Sequence, residues 1–425
     1  MTRRLASFFA EGTGKRRILS LDGGGVRGFL TIEILRQLEA ELRRRSGDPK
    51  YVLAQYFDLI GGTSTGSIIA TGLALGWSVS DVWAAYETIV PRIFAKASGV
   101  GLFSPRYRNK PLADAFKAEF EERALDSADL DTGLAIFAKR MDRGSAWMMV
   151  NNPGWVYYDN KHTTDKFAPN HTFKLRSIVQ ASAAAPHYFR GVKMKIEHAG
   201  ERGKKALDAH FVDGGVAGLN NPALELLTMV RDPAYGFNWQ TGADNLYLLS
   251  VGTGWIRAVN RAQGIIPRMI EGLFVKQTVN ALRGMITDVS LQQVAYMQAL
   301  ARTDMRWYIN SEKQSQEGSP YLKVGEPLLH YQRVDVRLEE ETDRAGAVLP
   351  ESPSALIGRE LSNGEVRGLD EITNAKPENL ELLKELGRAA GQRFIRDAAP
   401  PAAFDPNPWT RTGDLAPARS RPVTA

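Results

Sequence analysis

Gly62-Thr63-Ser64-Thr65-Gly66 fits the pattern G-x-S-x-G. A serine in a sharp turn between a strand and a helix exposes its hydroxyl, and flanking glycines let the chain turn that tightly. The helix N-terminus that follows favours developing negative charge. Ser64 is thus a candidate nucleophile, with Gly62 and Gly66 as its elbow. An ordinary glycine turn capped by Ser or Thr is the plainer reading. Asp22-Gly23-Gly24-Gly25-Val26-Arg27-Gly28 also follows an apolar run and opens a helical pattern. Gly23, Gly25 and Gly28 satisfy the dinucleotide fingerprint G-x-G-x-x-G. Its usual acidic partner at the end of a second strand is missing, because Asp48 lies in a Gly-Pro breaker and Asp58 inside the second run. The other reading is an oxyanion hole, in which backbone N–H groups of successive glycines meet the oxygen of a tetrahedral intermediate. A turn without a ligand is the third. Each motif strengthens the functional reading of the other.

A serine hydroxyl needs a base to become a nucleophile. The chain has six histidines, at 162, 171, 187, 198, 210 and 330, and none lies in a motif of obvious catalytic form. His210 and His330 follow the serine in α/β-hydrolase order. Without a His, a partly desolvated carboxylate serves, since burial raises its pKa and makes it a better base. Asp213, in Phe211-Val212-Asp213-Gly214-Gly215, ends an apolar run where parallel sheets carry functional groups. Asp-Gly is also a common turn dipeptide. No H-E-x-x-H spacing occurs, so no metal is expected.

These segments need elements to hold them. The runs at 18–21 and 57–60 read as short buried strands. Apolar residues at three- and four-residue steps after Gly28, and small residues at 67–75, read as helices. Strand, glycine turn and helix, repeated, imply a parallel sheet covered on both faces. Further strands are expected at 134–139, 146–150, 209–212 and 246–251. Helices are expected at 80–94, with Ser78 and Asp81 spaced as a capping box, at 173–184 and at 380–394. Residues 265–302 carry helical periodicity interrupted by Pro267 and Gly284. The stretch from Arg257 to Arg306, with seven basic and three acidic residues, reads as an exposed face, an anionic-nucleotide pocket or a lipid-facing surface.

Among 425 residues, 43% hydrophobic and 24% charged composition argues against disorder, collagen and coiled coil. The net charge of +6 permits contact with anionic lipid or nucleotide without demanding it. With no Cys, thiol nucleophiles, disulfides and Cys-based metal sites are excluded. No apolar run reaches the roughly 18 residues needed to span a bilayer. The apolar stretch at 5–10 is too short for a signal peptide, so a mature cytoplasmic N-terminus is expected.

The ordered blocks Asp22–Gly28, Gly62–Gly66, Ala181-Ser182-Ala183-Ala184-Ala185-Pro186-His187-Tyr188-Phe189 and Asp213-Gly214-Gly215 resemble the signature of patatin-like phospholipases. The resemblance implies an α/β protein with the three-layer α/β/α, lysophospholipase-like fold, a mostly parallel central sheet and added C-terminal helices. It also implies a Ser–Asp dyad without a catalytic His. Ser64 would be the nucleophile and Asp213 its base. The backbone of Gly23, Gly24 and Gly25 would form the oxyanion hole, with Arg27 helping to shape the loop.

A narrower resemblance runs through 133–140, Trp147, Asn151-Asn152-Pro153 and the helical region after Gly254. This is similar to the cyclic-dinucleotide-activated patatin-like effectors of CBASS antiphage systems, the CapV type. It implies a lipid acyl hydrolase switched on by a cyclic dinucleotide to degrade membrane phospholipid at the inner membrane surface, with no other cofactor. The nucleotide site is unassigned. A homo-oligomer is expected and a nucleic-acid partner is not. The expected divisions are an N-terminal segment 1–15, a catalytic domain 16–255, a mainly helical extension 256–397 packing on it, and a flexible Pro-rich tail 398–425. Two alternatives remain: a constitutive patatin-like lipase or esterase, and a non-catalytic nucleotide-binding protein using the Gly23–Gly28 loop.

Overall fold

The computed structural model describes residues 14–94, 107–159, 168–196, 208–256, 270–310, 314–319 and 325–406. Its strands are β1 (Arg16–Leu21), β2 (Leu59–Thr63), β3 (Gly133–Arg140), β4 (Ser145–Val150), β5 (Val192–Lys195), β6 (Asp208–Asp213), β7 (Leu246–Val251), β8 (Ala301–Arg302) and β9 (Leu329–Val334). They form one nine-stranded sheet in the order β5-β6-β3-β2-β1-β7-β9-β8, with β4 added on β3. The block from β3 through β2, β1, β7 and β9 to β8 is parallel, while β4, β5 and β6 run antiparallel to their neighbours. Every residue of β2, β7 and β9 is buried. That is the mark of a sheet covered by helices on both faces, the three-layer α/β/α arrangement.

The helices that matter for the site are α1 (Gly28–Ser46), α2 (Thr65–Ala74), α3 (Val79–Phe94), α4 (Asn109–Phe120), α5 (Leu175–Ser182), α6 (Ala223–Arg231), α7 (Ile270–Leu300), α8 (Asn363–Asp370) and α9 (Pro377–Ala398). α1 and α2 begin at the two glycine-rich turns and lead the chain from β1 to β2 and onward. At the start of α3, Ser78 and Asp81 cap each other as their spacing predicts. α9 lies along α1 at close range. A Cβ on Gly387 would come within 2.5 Å of the Leu30 carbonyl oxygen, so small residues set this approach.

Three expectations change. α7 runs through Gly284 without a break. One glycine costs a helix only about 1 kcal/mol, which the rest of a long helix absorbs. Pro267 lies outside the described residues. The region after 255 adds strands as well as helices: β9 pairs with β7 in the middle of the molecule. Its sequence, LHYQRV, hides it, because three polar residues sit in a buried strand. Each has a partner: His330 meets the exposed Asp304, while Gln332 accepts from buried Tyr247 and Arg333 meets buried Asp22. Finally, the tail packs as far as it is described. Phe404 is buried, its ring 5.4 Å from that of Tyr247. Residues 1–13 and 407–425 lie outside the described residues.

Candidate active site

Ser64 sits between β2 and α2 with φ 53° and ψ −121°. A non-glycine residue held there is strained, at a cost of roughly 1–3 kcal/mol that the surroundings must offset. The surroundings are local and close. A Cβ on Gly62 would lie 2.2 Å from the Gly66 carbonyl oxygen, and one on Gly66 would lie 2.3 Å from that of Leu21. No larger residue fits either position without moving backbone. Ser67 donates from its N–H and its hydroxyl to the Ser64 carbonyl, at 2.9 and 2.6 Å. One tether comes from farther away. The Ser64 N–H donates to Ser182 Oγ at 2.9 Å, and that hydroxyl donates to the Phe137 carbonyl at 2.6 Å.

Asp213 reaches Ser64 through the registry of β3. β4 takes one edge of β3 from Ala135 to Arg140. β2 pairs with β3 as far as Phe137, and β6 pairs with it from Ala138. β2 and β6 therefore share the opposite edge and meet end to end, Thr63 against Phe137 and Asp213 against Ala138. The Ser64 hydroxyl lies near enough to the Asp213 carboxylate to favour its charged form. The Gly215 N–H donates to that carboxylate, at 2.8 Å. Burial lifts the Asp213 pKa from 3.8 to about 6, and the Ser64 hydroxyl and the Gly215 N–H hold it from rising further.

Among the described histidines, none hydrogen-bonds Ser64 or Asp213. His330 stands opposite Tyr247 at the far end of β7, four residues below Val334, or about 13 Å along the strand. His210 is exposed on β6. His187, with φ 74°, lines the cavity over the dyad without joining it. His162 and His198 lie outside the described residues.

The glycine loop lies directly beside Ser64: a Cβ on Gly23 would be 3.1 Å from Ser64 Cβ. Its N–H groups differ in use. That of Gly23 donates to the Asn220 carbonyl at 3.1 Å, and that of Val26 to the Ile372 carbonyl at 2.9 Å. Those of Gly24 and Gly25 have no partner among the described residues. Thr253 donates to the Gly23 carbonyl at 2.8 Å, while Thr65 and Tyr86 both donate to that of Gly25. Gly25 has φ 59°, and a Cβ there would strike the Ile372 carbonyl oxygen. Below the loop, Arg333 of β9 grips Asp22 with two hydrogen bonds of 3.0 and 2.7 Å and also meets Asp335 at 2.6 Å. Thr253 and Ile372 close the Cβ sides of Gly24 and Gly25, so no side chain fits at either position. Arg27 holds the loop by its backbone, donating to the Gly24 carbonyl at 3.2 Å. Its guanidinium makes no hydrogen bond to the loop.

Ser64, Asp213, the glycine loop and Arg27 line one cavity of about 350 Å³. Its remaining wall is largely apolar and includes Ile68, Val90, Ile93, Phe189, Leu282 and Ile286. Among the described residues, no group of three His, Asp or Glu could hold a metal ion, and no helix is long and apolar enough to cross a membrane. Sequence reasoning assigned no role to Ser182, Asn220, Thr253, Arg333 or Ile372. Only Ser182 carried a signal, from its place in the block before Asp213.

The patatin-like phospholipase family model matches residues 19–227. A cUMP-AMP-activated phospholipase of Escherichia coli is 31% identical over 264 residues, 61% of this chain and 68% of that protein. Patatin-15 of Solanum tuberosum is 29% identical over 292 residues, 65% of this chain and 72% of that protein. A cGAMP-activated phospholipase of Escherichia coli strain TW11681 is 29% identical over 242 residues, 56% of this chain and 62% of that protein. With a serine turn, a glycine loop and an apolar cavity on one parallel sheet, this chain belongs to the patatin-like phospholipase family and is a lipid acyl hydrolase.

Proposed function

We propose that the chain is a serine phospholipase working through a Ser64–Asp213 dyad. Asp213 takes the hydroxyl proton as Ser64 Oγ attacks an acyl ester carbonyl. The N–H groups of Gly24 and Gly25 meet the resulting oxyanion. Gly23, whose N–H is held by Asn220, keeps the loop against Ser64. The intermediate collapses to an acyl-enzyme, the lysolipid alcohol leaves with the proton from Asp213, and water attacks by the same route in reverse. Oxyanion donors of this kind are worth about 10²–10³ in rate. The observation that carries the reading is Ser64, strained on its turn, set beside the buried Asp213 carboxylate in one cavity, with no histidine bonded to either among the described residues. Residues 16–255 would form the catalytic unit, with the rest of the chain bracing it.

The finer reading is activation by a cyclic dinucleotide in antiphage defence, with the chain acting as a homo-oligomer on phospholipid at the inner membrane surface. Its support is the two bacterial relatives named for activation by cUMP-AMP and cGAMP. The test is fatty-acid release from phospholipid vesicles, with and without a panel of cyclic dinucleotides, for the wild type and Ser64→Ala. Release that needs one nucleotide and is lost in the variant supports both parts. Equal release without nucleotide keeps the lipase and removes the switch. Unimpaired release by Ser64→Ala overturns the dyad.

A further inference from the structure

Three described arginines line the cavity: Arg27, Arg283 and Arg333. Two are held by carboxylates. Arg333 is gripped by Asp22 and Asp335. Arg283, on α7, donates through Nη2 to the carboxylate and, at 2.8 Å, to the carbonyl of Asp370 at the end of α8. Its Nε and Nη1 have no acceptor among the described residues. Among the described residues Arg27 has no carboxylate in salt-bridge contact, Asp370 and Asp335 acting on it only at longer range, and its Nε and Nη1 are buried without a hydrogen-bond partner. Burial, and then the charge of Arg283 beside it, lower the Arg27 pKa to about 10. A cation left unpaired in an apolar cavity, next to a second cation, is unfavourable until an anion arrives.

We propose that Arg27 and Arg283 form a subsite for the phosphodiester of a glycerophospholipid headgroup, in the same cavity where Ser64 meets the ester. The assignment rests on the Ser64 reading and deepens it, since it names what makes the substrate a phospholipid rather than a neutral ester. The chemistry fits. A phosphodiester is a monoanion with two non-bridging oxygens, and planar guanidinium forks bind such oxygens in pairs. Asp370 fixes Arg283 from behind, and Arg27 keeps Nε and Nη1 without an acceptor among the described residues, so its guanidinium is the one left to take an anion directly. The apolar wall from Ile68 to Phe189 and the α7 residues Leu282 and Ile286 suit acyl chains. The two arginines arise far apart, one in the loop after β1 and one on α7, so the subsite exists only when α7 lies over the cavity.

The test compares kcat/KM for a phospholipid with kcat/KM for an uncharged monoacylglycerol carrying the same acyl chain, in the presence of any activating nucleotide. Arg283→Gln and Arg27→Gln should each lower the phospholipid-to-monoacylglycerol ratio about tenfold or more, mostly through KM, with Arg283→Lys in between. Hydrolysis of the uncharged ester by each variant reports that it has folded. A ratio within about twofold of wild type in both Gln variants overturns the subsite. If the wild type cleaves neither ester, the Ser64 reading has failed and the subsite is judged by calorimetry with glycerophosphocholine. Binding that weakens about tenfold in Arg283→Gln sustains it, while absent or unchanged binding overturns it. A phosphodiester could also come from a cyclic dinucleotide. Competitive displacement of glycerophosphocholine by cUMP-AMP would assign the arginines to the activator and overturn the headgroup reading.

Discussion

The turns after β1 and β2 stand side by side in the cavity, but they are held in opposite ways. The Ser64 turn is almost self-contained. Gly62 and Gly66 permit it, Ser67 closes it three residues on, and Ser182 is its distant tether. The glycine loop makes few such local bonds. Asn220 and Thr253 hold Gly23, Ile372 holds Val26, and Arg333 holds Asp22 across 311 positions of sequence. A nucleophile needs one strained residue, which a five-residue motif can encode. Oxyanion donors must be aimed at a point in space, and flexible glycines are aimed only by what surrounds them. On the proposed reading the segment after 255 is part of the machinery, because it supplies Arg333 and Ile372.

The largest expected effect removes the chemistry common to both turns. Ser64→Ala and Asp213→Asn should each cut phospholipid hydrolysis by about 10³-fold or more while the protein stays folded. Near-full turnover in either would break the comparison at its root. Arg333→Met tests the loop's distant anchor. It leaves Asp22 and Asp335 buried without their cation, which should cost roughly 3–5 kcal/mol in denaturant unfolding, with hydrolysis falling alongside. Unchanged stability would mean the loop does not depend on β9.

Two glycine substitutions sharpen the contrast. In Gly66→Ala the new methyl meets the Leu21 backbone, whereas in Gly24→Ala it meets the Thr253 side chain. Backbone cannot step aside, so Gly66→Ala should lose more stability, about 3 kcal/mol against about 1 for Gly24→Ala. Gly24→Ala should show itself mainly in kcat. Equal losses of stability would show the two turns to be equally rigid.

The remaining effects are those of pH. Asp213 must be ionised to accept the proton, so hydrolysis should rise as pH passes about 6. Stability carries the opposite sign. The folded-state pKa of Asp213 is raised from 3.8, so its contribution is full below about 4 and lost as pH rises through about 6. Asp213→Asn should therefore match the wild type near pH 4 and exceed it by about 2 kcal/mol at pH 8. A rate profile set by a histidine, abolished by His210→Ala, would replace the dyad with a triad.

Much of this molecule was legible in its residues. The strands that open the sheet, the helices after both turns and the capping pair Ser78 and Asp81 follow from hydrophobic period and cap chemistry, which act over a few positions. So does the strained serine turn. β9 was not legible, because His330, Gln332 and Arg333 are polar and their burial depends on partners elsewhere in the chain. Nor was the use of each glycine N–H, since donors look alike until Asn220 and Ile372 engage two of them. By itself the sequence determined which residues could react and the local turns that expose them. Only the tertiary structure decided that β2 and β6 end nose to nose on β3, bringing Asp213 to Ser64, and that α7 lies close enough to set Arg283 beside Arg27. Strand registry and helix docking come from contacts between segments far apart in the sequence, and no local pattern records them.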